Sequence, residues 1–355
     1  MPVHQASILA VGMMTAVGIG ARQTAASVRA GIARIRETSL YDRRFQPFKM
    51  ALLPDDVLPP LEPSIEAMVG LTARQIRMLR LAAPALREVL LEVPRSDDVP
   101  LFLGTPEALP GRADPAGEDF FDNLAAQSGL KFNVKQSKVF PHGRAAGLMA
   151  LKGGLEYLQS GETEYVVVGS VDTYLDLYLL GTLDMEGRIL ADGVMDGFVP
   201  GEGAGFLLLS SGLKNTAGKP IASIAGVTTG AEKGHRYSEE VYRGNGLADT
   251  FQELFASVPL APKKVKTVFA GFNGESFWAK EWGVAFLRSR DKFDDRFRME
   301  HPADCFGDAG AALAPLMLGL GAIGIQKAYL KEPCLVWCSS DREERGAAVL
   351  GSVLN

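Results

Sequence analysis

An internal repeat constrains the fold of this chain more than any other feature. In the first half, Gly143-Arg-Ala-Ala-Gly147 opens an apolar helix and Tyr165–Val168 follows as an apolar strand. Gly169-Ser-Val-Asp172 comes next, and the unit closes on Gly203-Ala-Gly-Phe-Leu-Leu-Leu-Ser210. In the second half, Gly307-Asp-Ala-Gly310 opens a helix running to Tyr329, Cys334–Trp337 reads as the strand, and Ser339-Ser-Asp341 follows. That unit closes on Gly346-Ala-Ala-Val-Leu-Gly-Ser352. The openings echo as well, Ile8–Thr15 against Ser223–Thr229. A supersecondary unit that recurs in the same order implies two similar halves. Alternating strand and helix patterns imply an α/β class with helices covering mixed sheets. The expected division is residues 1–212 and 213–355.

Local patterns fill in the rest. Gln23–Ala33 reads as a helix, Leu52–Ser64 as a proline-rich irregular connection, and Thr72 as the cap before an apolar-spaced helix, Met78–Leu91. Val99–Leu103 and Val134–Phe140 read as strands, Ala108–Gly117 as a loop, and Ala145–Gln159 as a helix. Composition narrows the functional classes. With 355 residues, 47 % hydrophobic and 22 % charged, the chain is too apolar for disorder. Three cysteines cannot staple a disulfide scaffold, and a net charge of −5 argues against a nucleic-acid partner. The 39 glycines exceed the usual ~7 % share and imply many tight turns. Ala6–Ala16 reads as a strand rather than a signal peptide. Ala309–Ile325, with Pro315 inside it, reads as a buried helix rather than a membrane span. The expected location is the cytoplasm, and neither a cofactor nor a metal is expected.

The stretch Asp196-Gly-Phe-Val-Pro-Gly-Glu-Gly-Ala-Gly205 resembles the β-ketoacyl synthase signature. Ile8–Gly31, Leu79–Leu91, Arg144–Gly147 and Val166–Asp172 resemble further segments of these condensing enzymes, in the same order. The resemblance implies a thiolase-like fold: two pseudo-repeated α/β halves with mixed five-stranded sheets in a layered αβαβα sandwich. It also implies a cysteine nucleophile at a helix N-terminus and two histidines that serve decarboxylation of a malonyl unit. Here the cysteine position falls on Arg144, and guanidinium is neither a nucleophile nor deprotonatable. The first histidine position falls on Phe272 and the second on Asp304. The lysine before it falls on Met299, and Ser340–Arg345 replaces the C-terminal glycine-rich loop. No cysteine precedes Cys305.

No standard catalytic residues are therefore expected. Arg144, Phe272, Asn273, Glu275, Asp304 and Cys305 are expected to line a vestigial pocket, with Arg144 paired to Asp304. Cys305 could alternatively form a nucleophile with His301 or His142, but a buried structural thiol is the expectation. Glu275 reads as a cap of the helix after it, His235 and Asp291–Asp295 as surface. Cys334 and Cys338 share a strand face without the further ligands zinc needs. Gly201–Gly205 leads into a strand and lacks a phosphate-loop ending. The expected function is a non-catalytic binding or assembly partner, accessory or secretion-associated. Two alternatives stand beside it: a chain-length-factor-like subunit of a ketosynthase heterodimer, and an acyltransferase using Cys305. A homodimer, or a heterodimer with a related subunit, is expected, and an acyl carrier protein is a further candidate partner.

Overall fold

The structure is a computed structural model and describes residues 5–91, 93, 95–211, 218–258, 260 and 263–353. The proposed division at 212/213 lies outside them. The first half contributes β1 (Ala6–Thr15), the short β2 (Gly18–Ile19), a hairpin of β3 (Arg36–Tyr41) and β4 (Pro47–Met50), β5 (Leu101–Gly104), β6 (Lys138–Phe140), β7 (Tyr165–Thr173) and β8 (Glu202–Ser210). The second contributes β9 (Ala222–Ala231), β10 (Val265–Phe269), β11 (Phe293–Glu300), β12 (Cys334–Ser339) and β13 (Glu344–Gly351). The helices are α1 (Ala21–Arg29), α2 (Pro63–Glu66), α3 (Ala73–Leu90), α4 (Phe120–Ser128), α5 (Ala146–Gln159) and α6 (Leu177–Met185), then α7 (Asn245–Ser257), α8 (Ser276–Arg288), α9 (Ala303–Phe306) and α10 (Leu313–Gln326).

Strand order shows the repeat directly. The first half runs β6-β5-β7-β8-β1 and the second β11-β10-β12-β13-β9, so equivalent strands hold equivalent places. The two five-stranded units are not separate sheets. Antiparallel pairing of Ala6–Ile8 with Ala222–Ile224 joins them edge to edge. Alternation along the strands explains the layering. Val166 and Val168 enter the central core while Val167 and Val171 face an outer one built on α3. In the second half Cys334, Val336 and Cys338 face the centre, and Leu335 and Trp337 face the layer of α7 and α8. The central layer is α5 and α10. Every residue from Leu313 to Gly324 is buried, which accounts for the long apolar run. No helix of the described residues is long and apolar enough to cross a membrane.

Several boundaries differ from the sequence reading, each for a local reason. Val134–Phe140 is not one strand. Asn133 accepts from the Gln136 amide and curls Val134–Gln136 into a 3-10 turn, leaving only Lys138–Phe140 as β6. The first helix stops at Arg29, and Gly31 then takes φ 67°. Thr72 does cap its helix, in a reciprocal capping box with Gln75. Asp291–Asp295 is not a loop throughout: edge strand β11 begins at Phe293, whose ring is buried under α7 and α8.

Candidate functional site

The two halves meet where their repeated glycine turns open the central helices. Gly143 (φ 63°) and Gly307 (φ 70°) take the left-handed region that glycine tolerates. The residue after each is charged. Arg144 stands in the 3-10 turn that leads into α5. Asp308 stands just before the turn Gly310–Ala312 that leads into α10. An Arg144 Nη1 donates to Asp308 Oδ2 at 2.9 Å, and both side chains are buried.

This corrects the expected pairing. Asp304 is exposed on α9 and does not meet Arg144; Asp308, four residues on and beyond the end of α9, does. The repeat carried the signal, since Gly143-Arg144 and Gly307-Asp308 are its matching dipeptides.

A network surrounds the pair, leaving Arg144 Nη2 4.0 Å from Asp341 and without a hydrogen bond. Arg144 Nε donates to the Ser339 carbonyl at 3.2 Å, and its guanidinium lies 4.0 Å from the centre of the Trp278 ring. Asn273 Nδ2 donates to Asp308 at 2.9 Å and to Glu275 at 3.0 Å. Glu275 accepts a bidentate pair from Arg188 at 2.8 and 2.9 Å, a bond from Arg236 at 2.7 Å and one from Trp278 Nε1 at 3.1 Å. Arg188 turns its other edge to Asp341 at 2.7 and 3.0 Å and donates to Tyr237 at 2.9 Å. Three guanidinium groups thus face three carboxylates, Asp308, Glu275 and Asp341. Geometry of this bidentate kind is what offsets the desolvation of buried charge.

The electrostatics follow. Burial opposes the Arg144 charge, but Asp308 and Asp341 outweigh it and hold its pKa above the ordinary value. Burial would also raise the Asp341 carboxyl, yet Arg188 and Arg144 bring it down to about 2. Glu275 is likewise lowered, burial being overcome by Arg188. Glu275 therefore does not serve as the expected side-chain cap of α8. The cap role passes to Asp196, which accepts from the Ser276 amide at 2.6 Å and its hydroxyl at 2.8 Å.

The rest of the glycine signature is framework. The Asp308 amide donates to the Val199 carbonyl at 2.8 Å and the Gly201 amide to the Asp308 carbonyl at 2.9 Å. A Cβ at Gly201 would overlap the Phe306 carbonyl, so only glycine allows this approach. Glu202 is fully buried and takes Arg77 at 2.6 and 2.7 Å, Thr173 at 2.8 Å and the Leu53 amide at 2.8 Å. Asp172 binds Arg74 and the Ala311 amide, both at 2.9 Å, tying β7 to the start of α10.

Of the six residues expected in one pocket, Arg144, Asn273 and Glu275 come together. Phe272 instead stacks on His301 at 5.4 Å and packs edge-on to Trp337 at 5.3 Å. Cys305 is buried in the central core. Its thiol is pushed up by burial and by the charges of Asp304 and Glu300, the reverse of an activated nucleophile. His301 stacks on Phe272, and His142 Nδ1 lies 2.9 Å from Glu344. Arg188, Arg236, Tyr237, Trp278, Asp308 and Asp341 were not foreseen as site residues. Most come from separate loops, where no short-range spacing announces a contact. Among the described residues no group of three His, Cys, Asp or Glu side chains could hold a metal.

Comparison with known proteins bears on the fold. Residues 142–215, a stretch that includes Arg144 and the Asp196–Gly205 signature, match the family Beta-ketoacyl synthase, N-terminal domain. No curated protein matches the chain. Solved structures match along its whole length. The ketosynthase from module 6 of the bacillaene synthase of Bacillus subtilis is 14 % identical, with 99 % of this chain and 72 % of that one covered at a TM-score of 0.78. The ishigamide ketosynthase/chain length factor is 15 % identical, with 99 % and 100 % covered at 0.77. The ketosynthase ApeO in complex with its chain length factor ApeC, from Xenorhabdus doucetiae, is 14 % identical, with 98 % of each chain covered at 0.77. At such identity these structures show the fold, which is thiolase-like.

Proposed function

We propose that this chain is a non-catalytic member of the β-ketoacyl synthase family, working as a binding or assembly partner instead of condensing acyl chains itself. The observation that carries this reading is the Arg144–Asp308 pair. It occupies the mouth of the central helix where the resemblance calls for a thiol, and Arg188, Glu275 and Asp341 enclose it. A guanidinium held charged in an ion pair cannot accept an acyl group. Arg144 stands at the positive end of α5, where a cation is unfavourable, and Asp308 supplies the countercharge that holds it there. Cys305 does not offer a substitute nucleophile, being buried in the core with a raised pKa.

A second reading, a chain-length-factor-like subunit within a ketosynthase pair, is supported by the match to two solved ketosynthases paired with a chain length factor. An acyl carrier protein is a candidate partner because one matched structure holds a ketosynthase with its carrier protein. Both readings place a second thiolase-like chain beside this one. Native mass spectrometry of the protein isolated from its natural source tests them. A stable complex with a second ketosynthase-like chain that carries the cysteine supports the subunit role. Recovery only as a monomer, with acyltransferase activity in the same fractions, overturns it.

A further inference from the structure

Ser340–Arg345, the turn after β12 together with the first two residues of β13, is tied down by nearly every residue it contains. The Ser340 hydroxyl donates to the His142 carbonyl and accepts from the Ala145 amide at 2.9 Å. Asp341 holds Arg188, and its carbonyl accepts from the Arg236 amide at 3.1 Å. Arg342 pairs with Glu107 at 3.1 Å, and Glu344 with His142 at 2.9 Å. The Glu343 carbonyl accepts from the Glu232 amide at 2.8 Å. Arg345 and Glu281 form a fully buried pair at 2.5 Å. The bonds to His142 and Ala145 cross 202 and 195 residues of sequence and close the loop over the elbow that presents Arg144.

The charges facing this loop are unevenly composed. Glu107 approaches from the loop after β5, and His142 and Arg144 from the elbow. Arg188, Glu232 and Arg236 come from the facing turns, and Glu281 from α8. The loop itself brings Asp341, Arg342, Glu343, Glu344 and Arg345. Two of these groups change charge near neutrality. Burial, then Asp341 and Glu344, push the Glu107 carboxyl up to about 7. The bond to Glu344 raises His142 above its ordinary value. As pH rises, Glu107 gains a negative charge beside Asp341 and Glu344, which its contact with Arg342 offsets only in part, and His142 loses the positive charge that faces Glu344, Glu107 and Glu343.

We propose that Ser340–Arg345 is a pH-sensitive strap that clamps the two halves over the Arg144 network below neutral pH and loosens above it. Both groups bind protons more tightly in the clamped state, so the clamp is complete below their unfolded values and is lost as pH rises through the folded ones. The device stands on the loop's contacts and on the titration of Glu107 and His142 within them, and does not depend on the absence of condensing activity.

Hydrogen exchange read by mass spectrometry tests it, with protection factors corrected for intrinsic rates and followed from pH 6 to 8.5. Peptides spanning 142–147 and 340–345 should lose about tenfold in protection, the equivalent of one unit of pKa coupling, while peptides of β7 stay constant. Glu107→Gln, which mimics the protonated form, should keep its protection at high pH. His142→Gln, which removes the partner of Glu344, should show lowered protection already at pH 6. Constant protection in the wild-type protein overturns the proposal. So does a Glu107→Gln variant that loses protection as the wild type does.

Discussion

Removing the Arg144 side chain probes the network where it is most deeply buried. Arg144→Ala leaves Asp308 with no exposed surface, no countercharge at 2.9 Å, and only the Asn273 and Gly310 donors. Breaking a buried pair from one side costs about 3–5 kcal/mol, because the remaining charge stays desolvated. At about 2.1 cal/mol/K per residue, 355 residues carry an unfolding entropy of roughly 0.75 kcal/mol/K, so Tm should fall by about 4–7 °C. Differential scanning calorimetry reads this directly. The exposed pair Arg290–Asp295 is the control, and Arg290→Ala should move Tm by less than about 1 °C. Combining Arg144→Met with Asp308→Asn removes both charges and should recover at least half of the loss. An Arg144→Ala shift under about 1 °C, or a double variant no better than the single one, would refute the buried-pair argument.

Three further outcomes follow from the same structure. Asp341 is held at about 2, below its ordinary value, so its stabilisation is present above pH 3.8 and lost as pH falls through 2; Asp341→Asn should flatten that part of an acid-unfolding curve. Arg345→Met should strand Glu281, whose pKa burial already raises. The variant should therefore lose Tm progressively as pH rises from 5 to 8, more steeply than the wild type. Cys305, Cys334 and Cys338 are all buried with raised pKa values, Cys334 to about 12. A thiol reagent at pH 7.5 should therefore titrate fewer than one cysteine in the native protein and all three after unfolding.

The two-half architecture was legible because the repeat is written in apolar strands and glycine turns, and burial on both strand faces leaves near-continuous hydrophobic runs such as Leu207–Leu209. The absence of a thiol at the elbow was legible too, since residue identity alone decides it. The partner of Arg144 was misplaced by four residues, from α9 to the turn after Gly307. Counting back from Gly307 favoured Asp304, whereas the repeat itself matches Gly143-Arg144 with Gly307-Asp308. Arg188 and Arg236 were hidden for a different reason: they reach Glu275 across 87 and 39 residues from loops without periodicity. The edge-to-edge union of the two sheets rests on three residue pairs at Ala6–Ile8, too short a segment for a pattern to announce.

Intact-protein mass spectrometry after incubation with an acyl-CoA and malonyl-CoA tests the central claim most directly. A closed Arg144–Asp308 site predicts an unchanged mass and no decarboxylation. A stoichiometric acyl adduct on the native protein, at Cys305 or any other side chain, would contradict it.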